Sequence, residues 1–145
     1  FTAPLYASSA ESQALFMQQE IIEEMVDKIR QCGAIALATG DLDSSLLVRD
    51  ALPKDISRQE LIDKGGVGDI TGHILDGNGE LIDHEINRRV VGLSLDDMAE
   101  IENVILAAGG AHKTAVIQAA LKRGFVNTLV TDEMTAKTLL ATGSA

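Results

Sequence analysis

The sequence predicts an α/β layered fold with a mostly parallel sheet and an inserted β-hairpin. Two patterns carry that prediction. In the last third, an apolar strand, a helix, a second strand and a second helix follow one another with short connections, the order of parallel strands joined by right-handed crossovers. Ahead of it, Asp76-Gly77-Asn78-Gly79 separates two alternating apolar runs, and Asp-Gly and Asn-Gly are the strongest short hairpin signals. Layers of helix on sheet follow, because each amphipathic element must bury its apolar face against another.

Ser8-Ser9-Ala10-Glu11 is a capping box that opens a helix with Leu15, Ile22, Met25, Val26 and Ile29 at helical spacing, stopped by Cys32-Gly33. Glu20, Glu23, Glu24, Asp27 and Lys28 form its solvated face. Ala34 to Thr39 reads as a short buried strand ended by Gly40-Asp41. A second box, Ser57 to Glu60, starts a short helix that ends at Gly65-Gly66. The hairpin runs are Ile70 to Leu75 and Glu80 to Ile82, and Glu85 to Leu93 is irregular with Arg88 and Arg89 exposed. Ser94-Leu95-Asp96-Asp97 starts another helix. Val104 to Ala107 is a strand, Gly109-Gly110 a tight turn, Lys113 to Lys122 a helix stopped by Gly124, Val126 to Val130 a strand, and Thr131 the cap of a last helix reaching about Leu140.

At 145 residues the chain corresponds to one domain or a piece of one, large enough to bury a sizeable core. Hydrophobic residues make up 46% and charged residues 23%, the proportions of an ordinary globular protein. No apolar run is long enough to span a bilayer. The net charge of −10 repels phosphate backbones, and four aromatic residues (Phe1, Tyr6, Phe16, Phe125) without Trp give no platform for stacked bases, so this segment does not grip nucleic acid itself. The three His and single Cys32 form no spaced cluster, so neither a metal site nor a cofactor is expected. Cys32 reads as a small core hydrophobe near a helix end. One cysteine makes no internal disulfide, and a reducing cytoplasm suits it. The first residue is Phe1 rather than Met, which reads as a trimmed chain.

Ligands of such folds sit outside the carboxyl ends of the strands, so the loops at Gly40-Asp41, Gly109 to Lys113 and Thr131-Asp132 are the candidates. Gly109-Gly110 before a helix start is either a phosphate cradle or an ordinary strand-to-helix turn. Lys113 lies in the first helical turn, where the helix dipole disfavours a cation; it either shares an anion with the free N–H groups or is a tolerated surface lysine. His112 reads as a surface residue. Asp69, after Gly65-Gly66-Val67-Gly68, can accept hydrogen bonds from sugar hydroxyls or satisfy loop N–H groups. Arg88 and Arg89 could meet an anion, but as neighbours they point in different directions. There is no nucleophile elbow, phosphate loop or G-x-G-x-x-G fingerprint, and no His stands in an evident dyad, so binding is easier to argue than catalysis.

Several short motifs, in order along nearly the whole chain, carry a resemblance: Pro4 to Ser9 (PLYASS), Gly65 to Gly72 (GGVGDITG) with its D-G-N-G hairpin, Val91 to Leu95 (VGLSL), Ala108 to Lys113 (AGGAHK) and Val126 to Asp132 (VNTLVTD). Together they resemble the C-terminal sugar-binding domain of SorC/DeoR-type bacterial transcriptional regulators. The resemblance implies a Rossmann-like fold similar to the glucosamine-6-phosphate isomerase and ribose-5-phosphate isomerase group. It implies an effector sensor rather than an enzyme, with residues 1–145 as the C-terminal part of the effector domain and its upstream half and helix-turn-helix lying outside the chain. A phosphorylated sugar or polyol would bind at the strand ends and alter a homo-oligomer, dimer or tetramer, that holds operator DNA through that helix-turn-helix. Lys113 then resembles a phosphate ligand and Asp69 a partner for sugar hydroxyls, with Gly40, Gly68, Gly109 and Gly110 around the ligand. The chain departs from the family in its length and in Ala38-Thr39-Gly40, where the family has G-x-G. The competing readings are a sugar-phosphate isomerase or deaminase on the same fold, with Asp69 as its base, and a fragment that mainly mediates subunit contacts.

Overall fold

The computed structural model describes residues 3–142; Phe1, counted above with the aromatic residues, lies outside them. The fold is α/β, but its strands form two three-stranded sheets instead of one mostly parallel sheet. In the first, β1 (Ala34–Leu37), β5 (Asn103–Ala107) and β6 (Thr128–Val130) lie parallel in the order β1-β5-β6. In the second, β2 (Thr39–Asp41), β3 (Gly66–Ile70) and β4 (His73–Asp76) are antiparallel in sequence order. The expected single strand from Ala34 to Thr39 is therefore two: the chain leaves one sheet at Ala38 and enters the other. Nor is β1 buried as expected, since it is an edge strand with Ala34 and Ala36 exposed; β2, by contrast, is buried throughout.

The helix expected from Ser8 to Cys32 is broken at Gln18-Gln19 into α1 (Ala10–Met17) and α2 (Glu20–Arg30). Its cap is Ser9, whose hydroxyl accepts from the Ser12 amide at 3.1 Å. No residue of α1 is buried, whereas Ile22 and Val26 of α2 enter the core, so packing fixes the direction of α2 only. Cys32 is exposed, its thiol donating to the Lys28 carbonyl, so it is not a core hydrophobe. The box at Ser57 caps α3 (Arg58–Asp63) with both reciprocal bonds formed, and the box at Ser94 does the same for α4 (Leu95–Ala99).

The Asp76–Gly79 reversal forms as expected, with Asp76 Oδ1 accepting the Asn78 and Glu80 amides, but Leu81 makes only an isolated bridge to Leu75. The two-residue hairpin lies one turn earlier, at Thr71-Gly72, where both residues take positive φ (50° and 91°) and join β3 to β4. Arg89 is not exposed: at 4% side-chain accessibility it donates to the Ala7 carbonyl and pairs with Asp55 at 2.7 Å and Glu85 at 3.3 Å. Arg88 is exposed, 3.8 Å from Asp83.

The β5–α5–β6 crossover forms as the sequence predicts, with α5 spanning Thr114–Arg123 after a single 3-10 turn at Ala111–Lys113. The last helix, α6 (Glu133–Thr142), is capped by Asp132, whose Oδ1 accepts the Thr135 amide, rather than by Thr131. Val104, Leu106 and Ile117 join α2, α4 and α5 in one core cluster, and Leu61, Ile74 and Ile86 centre a second around α3 and β4. Gly68 serves this packing, because a Cβ there would stand 2.5 Å from the Gly40 carbonyl and 2.6 Å from Val116 Cβ.

His73 of β4 is buried, and burial pulls its pKa from 6.5 to about 4 although the Ile70 carbonyl works the other way. A folded pKa below the unfolded one means stability present above pH 6.5 is lost as pH falls toward 4, up to about 3 kcal/mol. The stability difference between the wild type and His73→Gln is therefore expected to narrow by about 2–3 kcal/mol across that window, measured by urea denaturation. A constant difference would show that His73 is not held neutral.

Candidate functional site

The two strands of the second sheet that meet at Gly40 and Asp69 create the site. Their antiparallel register places Gly40 opposite Asp69. A Cβ at Gly40 would fall 2.4 Å from Asp69 Oδ1 and 2.8 Å from Ser45 Cβ, so only glycine lets the carboxylate and the loop carrying Ser45 close together. Beside them opens a cavity of about 630 Å³, within the range of small-molecule sites. Thr39, Gly40, Asp69, Thr71 and Gly72 line it from the sheet, Lys113 from the turn before α5, Leu5 from the N-terminal segment, and Ser45, Leu46, Leu47, Asp50 and Ala51 from the segment holding a π-helical turn at Leu47–Ala51.

Asp69 is 6% exposed. Its Oδ2 accepts the Gly72 amide at 3.0 Å, which clamps the hairpin turn; from the other side Tyr6 donates its hydroxyl to the Gly72 carbonyl at 2.6 Å. Burial pushes the Asp69 pKa up to about 6, opposed by the Gly72 amide and the Lys113 charge and reinforced by Asp41. Burial also raises the Tyr6 pKa and keeps it a donor. Thr71 at φ 50° is a β-branched residue in a conformation that favours glycine, and such strain persists only where surroundings enforce it.

Lys113 caps α5 without a side-chain capping bond, and its ammonium has no salt-bridge partner among the described residues. The Ala111 and His112 amides precede the first bonds of their own turn, which run from Lys113 and Thr114. Lys113 lines the same cavity as Asp69, and its charge acts on that carboxylate. His112 is a surface residue, as expected, but its Nε2 lies 3.9 Å from Asp41 Oδ2. Asp41 is itself occupied: burial would raise its pKa, yet the Ser44 amide and hydroxyl hold it below the usual range.

Of the six residues singled out by sequence, the structure brings Asp69, Lys113 and Gly40 to one cavity and leaves Gly68, Gly109 and Gly110 outside its lining. Gly109 and Gly110 instead face Asp132. A Cβ at Gly109 would lie 2.4 Å from Asp132 Oδ2, and the Gly110 amide donates to that oxygen at 2.9 Å and to Thr135 Oγ1 at 2.8 Å. The Thr135 hydroxyl, then the Thr135 and Gly110 amides, lower the Asp132 pKa to about 2. This ties the loop after β5 to α6 and fixes where Lys113 stands. Sequence reading missed Thr39, Ser45 and Thr71. The only signal for the last was its place before Gly72. Among the described residues no group of His, Cys, Asp and Glu is suited to a metal ion, and no helix is long and apolar enough to cross a membrane.

Residues 1–141 match the family model of the sugar-binding domain (Sugar-bind). The chain is 32% identical over 143 residues to the transcriptional regulator LsrR of Enterobacter sp. (strain 638), covering 96% of this chain and 44% of that protein. It is 28% identical over 138 residues to the erythritol catabolism regulatory protein EryD of Brucella abortus, covering 94% and 43%. The chain thus spans less than half the length of these curated relatives. Its fold is similar to the crystal structure of a sugar-binding domain of a transcriptional repressor from Vibrio fischeri, with a TM-score of 0.87, 26% identity and coverage of 99% of this chain and 58% of that one.

An ionised carboxylate held at a raised pKa costs stability that its neutral counterpart does not. For Asp69 the folded pKa lies above the unfolded one, so the contribution present below pH 3.8 is lost as pH rises through about 6. Asp69→Asn, which keeps an acceptor for the Gly72 amide, is expected to be more stable than wild type by about 1–2 kcal/mol at neutral pH, with the gain vanishing near pH 4, by thermal or urea denaturation. A loss of stability at neutral pH would mean that the charge is structural.

Proposed function

This chain belongs to the Sugar-bind family, the sugar-binding domains of transcriptional regulators of the LsrR and SorC type, which are not enzymes, and from that we propose that it senses a phosphorylated sugar or polyol in the cavity between Asp69 and Lys113. The observation that supports this most is the convergence of these two side chains, from different elements, on one cavity of about 630 Å³. Lys113 with the first-turn amides of Ala111 and His112 would receive the phosphate, since a helix start and a cation both favour a dianion. Asp69 would accept hydrogen bonds from sugar hydroxyls through Oδ1, the oxygen not engaged by Gly72. Gly40 would keep Asp69 Oδ1 and Ser45 close together at the ligand's edge, while Gly109 and Gly110 would act at one remove by fixing the turn that presents Lys113.

In this reading residues 1–145 are the C-terminal part of an effector domain whose layering is akin to the glucosamine-6-phosphate isomerase group. The ligand would bias a homo-oligomer, dimer or tetramer, between two states, and only a difference in its affinity for those states would carry the signal. Operator DNA would be held by a separate segment in the cytoplasm, which fits a net charge of −10 on this one.

The test is thermal stability of the full polypeptide against sugars and their phosphates. A ligand at 100 times its Kd is expected to add about 2.7 kcal/mol. Stabilisation by phosphates only, abolished in Lys113→Ala with unchanged helix content, is the expected result. Equal stabilisation by unphosphorylated sugars, or a response that survives Lys113→Ala, would overturn the phosphate assignment.

A further inference from the structure

We propose that Tyr6 is a positioning residue for ligand binding: without lining the cavity, its phenol fixes the turn that aims the free oxygen of Asp69. The proposal rests on the reading of Asp69 as a ligand acceptor and adds the group that sets its direction. The terminal torsion of an aspartate has broad wells, so where Oδ1 points depends on what holds Oδ2. Among the described residues that oxygen is bonded by the Gly72 amide alone, at 3.0 Å. The amide belongs to a two-residue turn strained at its first residue, Thr71 at φ 50°. The Thr71 hydroxyl bonds only locally, to the Ile70 carbonyl at 2.8 Å. The bond that reaches the turn from a distant segment is that of Tyr6, whose hydroxyl donates to the Gly72 carbonyl at 2.6 Å.

Tyr6 can hold the turn because its own main chain is fixed on both sides. It forms an antiparallel bridge with Val90; the Leu5 carbonyl accepts the Val91 amide at 2.9 Å, and the Ala7 amide donates to the Arg89 carbonyl at 2.8 Å. The buried Arg89 side chain donates back to the Ala7 carbonyl while paired with Asp55 and Glu85. The Tyr6 ring is buried in the core cluster of Leu61, Ile74 and Ile86. Leu5 closes on the same turn, since a Cβ at Gly72 would stand 3.0 Å from its Cδ1. Removing the hydroxyl alone keeps the packing of the ring but leaves the buried Gly72 carbonyl without this donor. The turn relieves that cost by rotating, which draws the Gly72 amide away from Asp69.

Tyr6→Phe in the full polypeptide tests this. The readouts are the 13C titration of the Asp69 carboxyl and calorimetric titration with ribose 5-phosphate, glucose 6-phosphate and glycerol 3-phosphate. Lys113 before α5, Asp41 of β2 and Tyr6 are the charged or titratable groups that act on Asp69. The Gly72 amide lowers the Asp69 pKa, so weakening that bond is expected to move the midpoint upward from about 6. A probe that binds the wild type is expected to bind Tyr6→Phe about tenfold more weakly. Ile86→Val, a conservative change in the same core cluster, is the control: it is expected to lower stability and leave both readouts at their wild-type values. An unmoved Asp69 midpoint in Tyr6→Phe, or one that Ile86→Val moves as far, overturns the proposal and reduces Tyr6 to packing. An unchanged affinity beside a moved midpoint overturns it as well. If none of the three probes binds the wild type, the phosphosugar reading falls, and the midpoint in Tyr6→Phe still decides whether Tyr6 positions Asp69.

Discussion

The burial of one carboxylate organises the site. Asp69 sits on β3 opposite Gly40 of β2, where its charge is costly, and the surrounding structure is arranged around it. Gly40 is glycine because Asp69 Oδ1 and Ser45 occupy the space a Cβ would need. Thr71 holds a positive φ because Asp69 takes the Gly72 amide and Tyr6 takes the Gly72 carbonyl. Buried groups with a raised pKa inside a cleft recur at functional sites because a ligand can use the interaction that folding leaves incomplete. Here the incomplete part is the second carboxylate oxygen and the neighbouring Thr39 hydroxyl.

Around that carboxylate the two halves of the chain have separate tasks. The crossover β5–α5–β6 is rigid and local, and it delivers Lys113 to the cavity through a turn that Asp132 fastens to α6. The antiparallel sheet delivers Asp69, Thr39 and the strained turn. The turn has a further neighbour: Leu5 and Thr71 also line an apolar cavity of about 530 Å³ between α2 and the open edge of β1. The hairpin turn at Thr71 thus borders both cavities, and its Gly72 amide is held by Asp69.

Much of this was legible in the sequence, for reasons that can be named. The capping box at Ser57 and the helix start at Ser94 are local chemistry and both form, whereas the box read at Ser8 gives way to a cap by Ser9. The crossover from β5 to β6 has short connections and strong periodicity. Lys113 and Asp69 stood out as a cation at a helix start and a carboxylate behind glycines, and both line the cavity. What was not legible depends on distant partners. The run from Ile70 to Leu75 shows no break because Thr71 is a poor turn residue, made to turn by Asp69 and Tyr6. Arg89 looked exposed beside Arg88 because Asp55 and the Ala7 carbonyl, which bury it, lie far away in sequence. Gly109 and Gly110 looked like a cradle for a ligand, but the acidic group they meet is the protein's own Asp132. The division into two sheets rests on Ala38 alone, a residue with no turn character.

The most direct test is to watch the Asp69 carboxyl carbon by 13C NMR in the full polypeptide as pH is varied between about 3 and 8. The buried setting of Asp69 predicts that it titrates near pH 6, well apart from exposed aspartates, and that its midpoint moves when a phosphorylated ligand saturates the cavity. A midpoint near the ordinary aspartate value, unmoved by ligand, would contradict it.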